Sequence, residues 1–170
     1  ARRIQPANLE DDLERAAQCD WVVEAVVERL DVKQALFERI EAARAPDTIV
    51  SSNTSTIPLE ALVSGLSAQF RQHFLITHFF NPPRYMRLLE IVQGADTAVD
   101  VVARMRALGE VQLGKGVVMC HDTPGFIANR IGTYWIQTAI AQALELGLGV
   151  EDADAILGAP FGIPKTGVFG

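Results

Sequence analysis

Two kinds of hydrophobic pattern alternate along the first half of this chain, and that alternation constrains its fold more than any other feature. Residues 20–27 (DWVVEAVV) form a short, nearly continuous apolar run that suits a strand covered on both faces. From Asp31 onward, Val32, Ala35, Leu36, Ile40 and Ala43 recur with helical spacing, while Lys33, Glu38, Arg39 and Glu41 fall mostly between them. Pro46-Asp47 break the pattern. Residues 48–51 (TIVS) then predict a second strand, residues 52–56 a polar turn, and Pro58 the start of a short helix with Leu59, Leu62 and Leu66 on one side. The order is strand, helix, strand, helix.

A third strand is expected over 74–80 (FLITHFF), stopped by Asn81-Pro82-Pro83 because consecutive prolines remove ladder donors. The next run, 87–92 (RLLEIV), follows too closely for a helical crossover, so it is expected to double back antiparallel. A helix over 98–108 leads through Gly114-Lys115-Gly116 to a last strand, 117–120. At Asp122-Thr123-Pro124 the character changes: Thr123 suits a helix N-cap and Pro124 the first turn. Residues 126–146 read as one long helix with Ile127, Ile131, Trp135, Ala139 and Ala143 on a buried face, stopped by Gly147-Leu148-Gly149. Residues 150–157 predict a further short helix, and 161–170 a glycine-rich apolar loop. The fold class is α/β, with a sheet-containing part over 1–122 and the beginning of an all-helical part over 123–170.

Composition narrows the function classes. With 170 residues, 49% of them hydrophobic, and a mean hydropathy of +0.16, the chain can bury a core and is not a disordered tail. Its net charge of −6 and isoelectric point near 5.0 argue against nucleic acid as a partner. No stretch has the roughly 18 uncharged apolar residues of a membrane helix. Cys19 and Cys120 stand far apart with no Cys/His cluster, so neither a disulfide framework nor a metal site is indicated and a reducing cytoplasm is expected. The start, Ala1-Arg2-Arg3-Ile4-Gln5-Pro6, reads neither as a natural start nor as a secretion signal, so residues are expected upstream.

Three histidines are candidates for chemistry. His78 falls near the carboxyl end of a predicted strand, where open α/β sheets place their ligands, and Glu90 lies on the strand expected to turn back beside it. A histidine oriented by a carboxylate is a competent acid/base for a substrate hydroxyl. From spacing alone, a satisfied core histidine and a surface ion pair remain open alternatives. His73, among Gln69, Arg71 and Gln72, and His121, before a helix start, read as structural or exposed. Residues 52–56 (SNTST) gather hydroxyls, an amide and helix N-terminal N–H groups at one point of the sheet edge, with turn formation and capping as the alternative role. The sequon Asn53-Thr54-Ser55 is read as accidental without a signal peptide. Asn129 and Arg130 sit at the start of the long helix, where capping or solvent exposure is the default. Neither Gly147-Leu148-Gly149 nor Gly114-Lys115-Gly116 fits a dinucleotide fingerprint.

The segments 20–37 (DWVVEAVVERLDVKQALF), 51–59 (SSNTSTIPL), 77–92 (THFFNPPRYMRLLEIV) and 122–132 (DTPGFIANRIG) resemble, in order and spacing, the NAD-dependent L-3-hydroxyacyl-CoA dehydrogenases of fatty-acid β-oxidation. The resemblance covers nearly the whole chain. It implies a partial Rossmann-like domain, with an added antiparallel pair of strands, and the start of a helical domain that makes a homodimer. By the same resemblance His78 is the catalytic acid/base and Glu90 its partner. Ser55, Asn81 and Asn129 would contact substrate, Glu28, Lys33, Asn53 and Ser55 would lie near NAD, and the substrate would be a 3-hydroxyacyl-CoA. The glycine-rich turn and ribose-binding acid of the family are not found in these residues, and most of its helical domain would follow Gly170. The 170 residues by themselves are therefore expected to bind NAD weakly or not at all. Two other readings are a non-catalytic binding or assembly module of the same fold, and a dehydrogenase for another 3-hydroxy acid.

Overall fold

The apolar runs become a five-stranded sheet in the computed structural model, which describes residues 3–162 and 167–169. Strands β1 (Trp21–Glu24), β2 (Ile49–Ser52), β3 (Phe74–Phe79), β4 (Leu88–Gln93) and β5 (Gly116–Cys120) lie side by side in that order. The first three are parallel, β4 is antiparallel to β3 as its short connection requires, and β5 is parallel to β4. β1 is shorter than the apolar run 20–27 because the Glu24 carboxylate takes the Val26 N–H at 2.6 Å and turns the backbone out of the ladder.

Strand alternation sorts the sheet into two apolar faces. One packs Val50, Phe74, Ile76 and Val92 against Leu36, Phe37 and Ile40 of α1 (Leu30–Ala43) and Leu59 and Leu62 of α2 (Leu59–Leu62). The other packs Ile49, Leu75, Leu89 and Ile91 against Val101 and Met105 of α4 (Val99–Ala107). Each fully buried Phe or Leu contributes about 1.5–3 kcal/mol relative to leaving it in water.

Three local differences from the sequence reading have physical causes. The helix opened by Pro58 stops at Leu62, and a separate α3 (Ala68–Gln72) follows Gly65, whose φ of 84° turns the chain. α3 is capped by Ser67, whose hydroxyl accepts the Phe70 N–H, and is anchored by Phe70, stacked on Phe74. A π-helical turn, Leu108–Gln112, prolongs α4, and a 3₁₀ helix, Leu13–Gln18, precedes β1. Third, the long helix does not start at Phe126 with Thr123 as its cap. Gly125 (φ 78°) and Phe126 (φ 45°) are both left-handed, so α5 begins at Ala128 and runs to Glu145.

Contacts divide the chain into two compact units, one up to Phe126 and the other from Ile127. The second unit holds α5 and α6 (Val150–Leu157). The face predicted to be buried on α5 is only partly so: Ala139 and Ala143 are buried and Trp135 is half-buried, whereas Ile127 and Ile131 are exposed. The 8 residues of α6 are too few to cover an 18-residue helix. α5 stops where Gly147 (φ 66°) lets Leu148 N–H reach Ala143 O at 2.9 Å, closing the helix end. The loop read over 161–170 lies partly outside the described residues. No helix among the described residues is long and apolar enough to cross a membrane.

Candidate active site

Alternation along β3 puts Phe74, Ile76 and His78 on one face, and the antiparallel register sets Glu90 of β4 directly opposite His78. Only 12 residues of sequence separate them because the connection turns straight back. His78 Nδ1 donates to Glu90 Oε2 at 2.8 Å, with His78 7% and Glu90 1% exposed. The rings of Phe80 and Phe126 stand 4.6 and 5.6 Å from the imidazole, both edge-on. The carboxylate thereby fixes one tautomer in a setting that shuts out most water, which strengthens the hydrogen bond electrostatically.

The turn at 52–56 approaches the same sheet edge. Asn53 donates its N–H to Glu24 O at 2.8 Å, and its side-chain Oδ1 accepts the Phe79 N–H at 2.9 Å, next to His78 in sequence. Glu28 reaches over the turn: its Oε1 accepts the Ser55 N–H at 3.1 Å, the Thr56 N–H at 3.3 Å, and the hydroxyls of Thr54 and Thr56. Its Oε2 lies 3.2 Å from Lys33 Nζ. Partial burial pushes the Glu28 carboxyl up, but the hydrogen bonds from Thr54, Ser55 and Lys33 outweigh it and lower its pKa from 4.5 to about 2. Lys33, itself buried, makes a second ion pair with Glu24 at 2.7 Å. Ser55 O accepts the Gly125 N–H at 2.9 Å, which brings the strained Phe126 against His78.

The structure therefore gathers His78, Glu90, Asn53, Ser55, Glu28 and Lys33 at one end of the sheet. Asn81 is exposed beyond β3, and Asn129 belongs to the second unit, where it is half-buried near the start of α5. His73 is half-buried with Nδ1 3.0 Å from Gln69 O, and His121 is exposed. Glu24 and Phe126 carry no motif that marks them as site residues. The signal for Glu24 was a lone acid within an apolar run; the left-handed turn that aims Phe126 has no sequence mark beyond the glycine before it.

On the opposite face of the sheet, at the same edge, a cleft of about 850 Å³ is lined by Trp21, Val23, Ala25, Asn53, Phe79 and Phe80, among others. Phe80 belongs to both places, since its ring touches His78 and walls the cleft. Lys115 stands at the rim, donating to Met86 O at 2.7 Å and to Pro83 O.

An α/β sheet of this order, with a parallel half and a polar cluster at its carboxyl edge, is of the Rossmann-like class that places nucleotide ligands at that edge. The family description that matches residues 1–123 is "3-hydroxyacyl-CoA dehydrogenase, NAD binding domain", and the chain belongs to that family. It is 48% identical over 166 residues to a probable 3-hydroxyacyl-CoA dehydrogenase of Bacillus subtilis, covering 98% of this chain and 21% of that protein. To a probable 3-hydroxyacyl-CoA dehydrogenase of Deinococcus radiodurans it is 42% identical over 169 residues, covering 99% and 49%. The crystal structure of 3-hydroxybutyryl-CoA dehydrogenase from Escherichia coli K12 superposes with a TM-score of 0.74 at 38% identity, covering 81% of this chain and 28% of that one. The chain thus spans between a fifth and a half of the length of these curated relatives.

Proposed function

We propose that this chain carries the proton-transfer site of an NAD-dependent L-3-hydroxyacyl-CoA dehydrogenase, acting in fatty-acid β-oxidation in the cytoplasm. The observation that carries the reading is the His78 Nδ1 to Glu90 Oε2 hydrogen bond, 2.8 Å long and buried, at the carboxyl edge of a sheet of this family.

Glu90 accepts a hydrogen bond from Nδ1–H and leaves His78 Nε2 to take the proton of the substrate's 3-hydroxyl. NAD, when bound, supplies the acceptor for the hydride leaving C3. Loss of that hydride and of the hydroxyl proton converts the alcohol to a ketone. Positive charge then develops on the imidazole, and the Glu90 carboxylate stabilises it where few waters can. Ser55 and Asn81 orient the substrate oxygen. Asn53 and Ser55, with Glu28 and Lys33 behind them, line the nicotinamide end.

The cleft supports the presence of that end: its volume suits part of a cofactor, its walls are aromatic and apolar, and Asn53 offers an amide whose Oδ1 is already held by Phe79. Among the described residues no glycine-rich turn joins a strand end to a helix, so what these residues offer is the reacting end rather than a pyrophosphate cradle. We take residues 1–122 as part of the nucleotide-binding domain and 123–170 as the beginning of a helical domain through which the whole enzyme forms a homodimer.

The test is NADH oxidation with acetoacetyl-CoA by the full-length protein and by His78→Gln. The wild type is expected to turn over, and the variant to retain thioester binding while kcat falls roughly 10²–10⁴-fold. Near-normal turnover in the variant refutes the assignment. Thioester binding with no turnover in the wild type would favour the non-catalytic module.

A further inference from the structure

Glu24 is a buried charged group that the proposed reaction leaves without a task. Its side chain is 0% exposed and Lys33 beside it 1%. Removing two charges from water is costly, and apolar residues of the same volume usually serve stability as well or better, so stability alone gives little reason for the pair.

What the pair does is geometric. One Glu24 oxygen accepts from Lys33 Nζ at 2.7 Å and from the Val26 N–H at 2.6 Å; the other accepts from Ser52 Oγ at 2.5 Å. Ser52 Oγ in turn accepts the Thr54 N–H at 3.2 Å. Lys33 passes on to Glu28, which holds the N–H groups of Ser55 and Thr56. The turn is thus gripped from below by one carboxylate and from above by another, with a single ammonium linking the two. Two bonds run from the turn to the surroundings of His78: Asn53 Oδ1 to the Phe79 N–H, and Ser55 O to the Gly125 N–H ahead of Phe126.

We infer that Glu24 is a positioning residue for the proposed reaction, holding the 52–56 turn, through Ser52 and the Lys33–Glu28 link, at the place from which Asn53 holds the backbone next to His78 and Ser55 holds the turn that sets Phe126 against its imidazole. The inference rests on the dehydrogenase reading for its effect on turnover, but not for its effect on the turn. A shift of one ångström in such a frame is enough to slow a reaction about 10²-fold. Glu24→Gln keeps the shape of the side chain but removes its charge and turns one of its two acceptor oxygens into a donor.

Two variants test it: Glu24→Gln, and Glu24→Leu combined with Lys33→Met, which removes both charges and keeps the volume. Each is measured by thermal melting, by hydrogen exchange of the Ser55, Thr56 and Gly125 amides without ligand, and by turnover of acetoacetyl-CoA in the full-length protein. The paired apolar variant is expected to melt within about 5 °C of the wild type. Its Ser55 and Thr56 amides should exchange at least about tenfold faster. Its kcat should drop by about 10²-fold with KM for the thioester changed less than about threefold. Glu24→Gln should move exchange and kcat in the same direction and by less.

Unchanged amide exchange in both variants overturns the inference, as does unchanged kcat in a variant whose turn has loosened. Failure of both variants to fold also overturns it, because the network would then serve the fold alone. If the wild type itself does not turn over acetoacetyl-CoA, the reaction reading fails, and the exchange comparison still decides whether Glu24 holds the turn.

Discussion

In the proposed reaction His78 and Glu90 act as one unit, and their pairing follows from the β3–β4 register more than from either residue alone. Glu90→Gln keeps a hydrogen-bonding group but loses the charge that stabilises the imidazolium, so kcat should fall about 10²-fold, with a smaller change in KM, by steady-state kinetics. Glu28 makes a different prediction. Its carboxyl is held at about 2, below its ordinary 4.5, so its ionised form is favoured in the folded chain. That stabilisation is complete above about pH 4.5 and is lost as the pH falls toward 2. Melting temperatures measured between pH 6 and pH 3 should therefore fall more steeply for the wild type than for Glu28→Gln. At this scale the sequence was informative where a motif carries chemistry. The antiparallel return of 87–92 already offers Glu90 as a neighbour of His78, but spacing alone leaves a core histidine and a surface ion pair open; resemblance favours the pairing and is what places Glu28 and Lys33 beside Asn53 and Ser55. Glu24 stayed hidden because an acid in an apolar run gives no sign of which partners will bury it.

Among the elements, the strands are legible because short apolar runs bounded by turn residues leave few alternatives; β2, β3 and β4 are buried along most of their length, while β1 and β5 expose residues such as Val23, Val118 and Met119. The short helices are not legible. α3 presents one large apolar side chain, Phe70, in a polar stretch, and its existence depends on Phe37 and Phe74 from other elements. The start of α5 is not legible because helix propensity gives no notice of a Phe held at φ 45°. α2 gets its cap from Asp122, 63 residues distant in sequence, whose two oxygens accept the Leu59 N–H at 3.0 and 2.9 Å. Asp122→Ala should cost about 1 kcal/mol of stability, read as a shift in the urea midpoint. Gly109, buried in the π turn after α4, would place a Cβ 2.8 Å from Val117 and 3.0 Å from Leu89. Gly109→Ala should push α4 off the sheet and destabilise by about 1–3 kcal/mol on the same scale.

Over the whole molecule, both hydrophobic clusters lie within the unit that ends at Phe126. A chain ending there retains every residue of those clusters, and it should unfold cooperatively by circular dichroism; a broad, non-cooperative melt would contradict the division. The second unit exposes Ile131, Tyr134, Leu144 and Leu146, too much apolar surface for α6 to cover. The fold class could be read from the sequence at this scale because alternating patterns encode layers. How much of each helix is covered could not, since coverage depends on neighbours that periodicity does not name. Trp21, one of only two tryptophans, lines the cleft and donates its indole N–H to Ser51 at 2.9 Å. With Trp135→Phe the protein would carry a single emitter on the wall of this cleft, so if the proposed nicotinamide end is seated there a dihydronicotinamide would quench it by energy transfer and report occupancy optically, before any substrate is added.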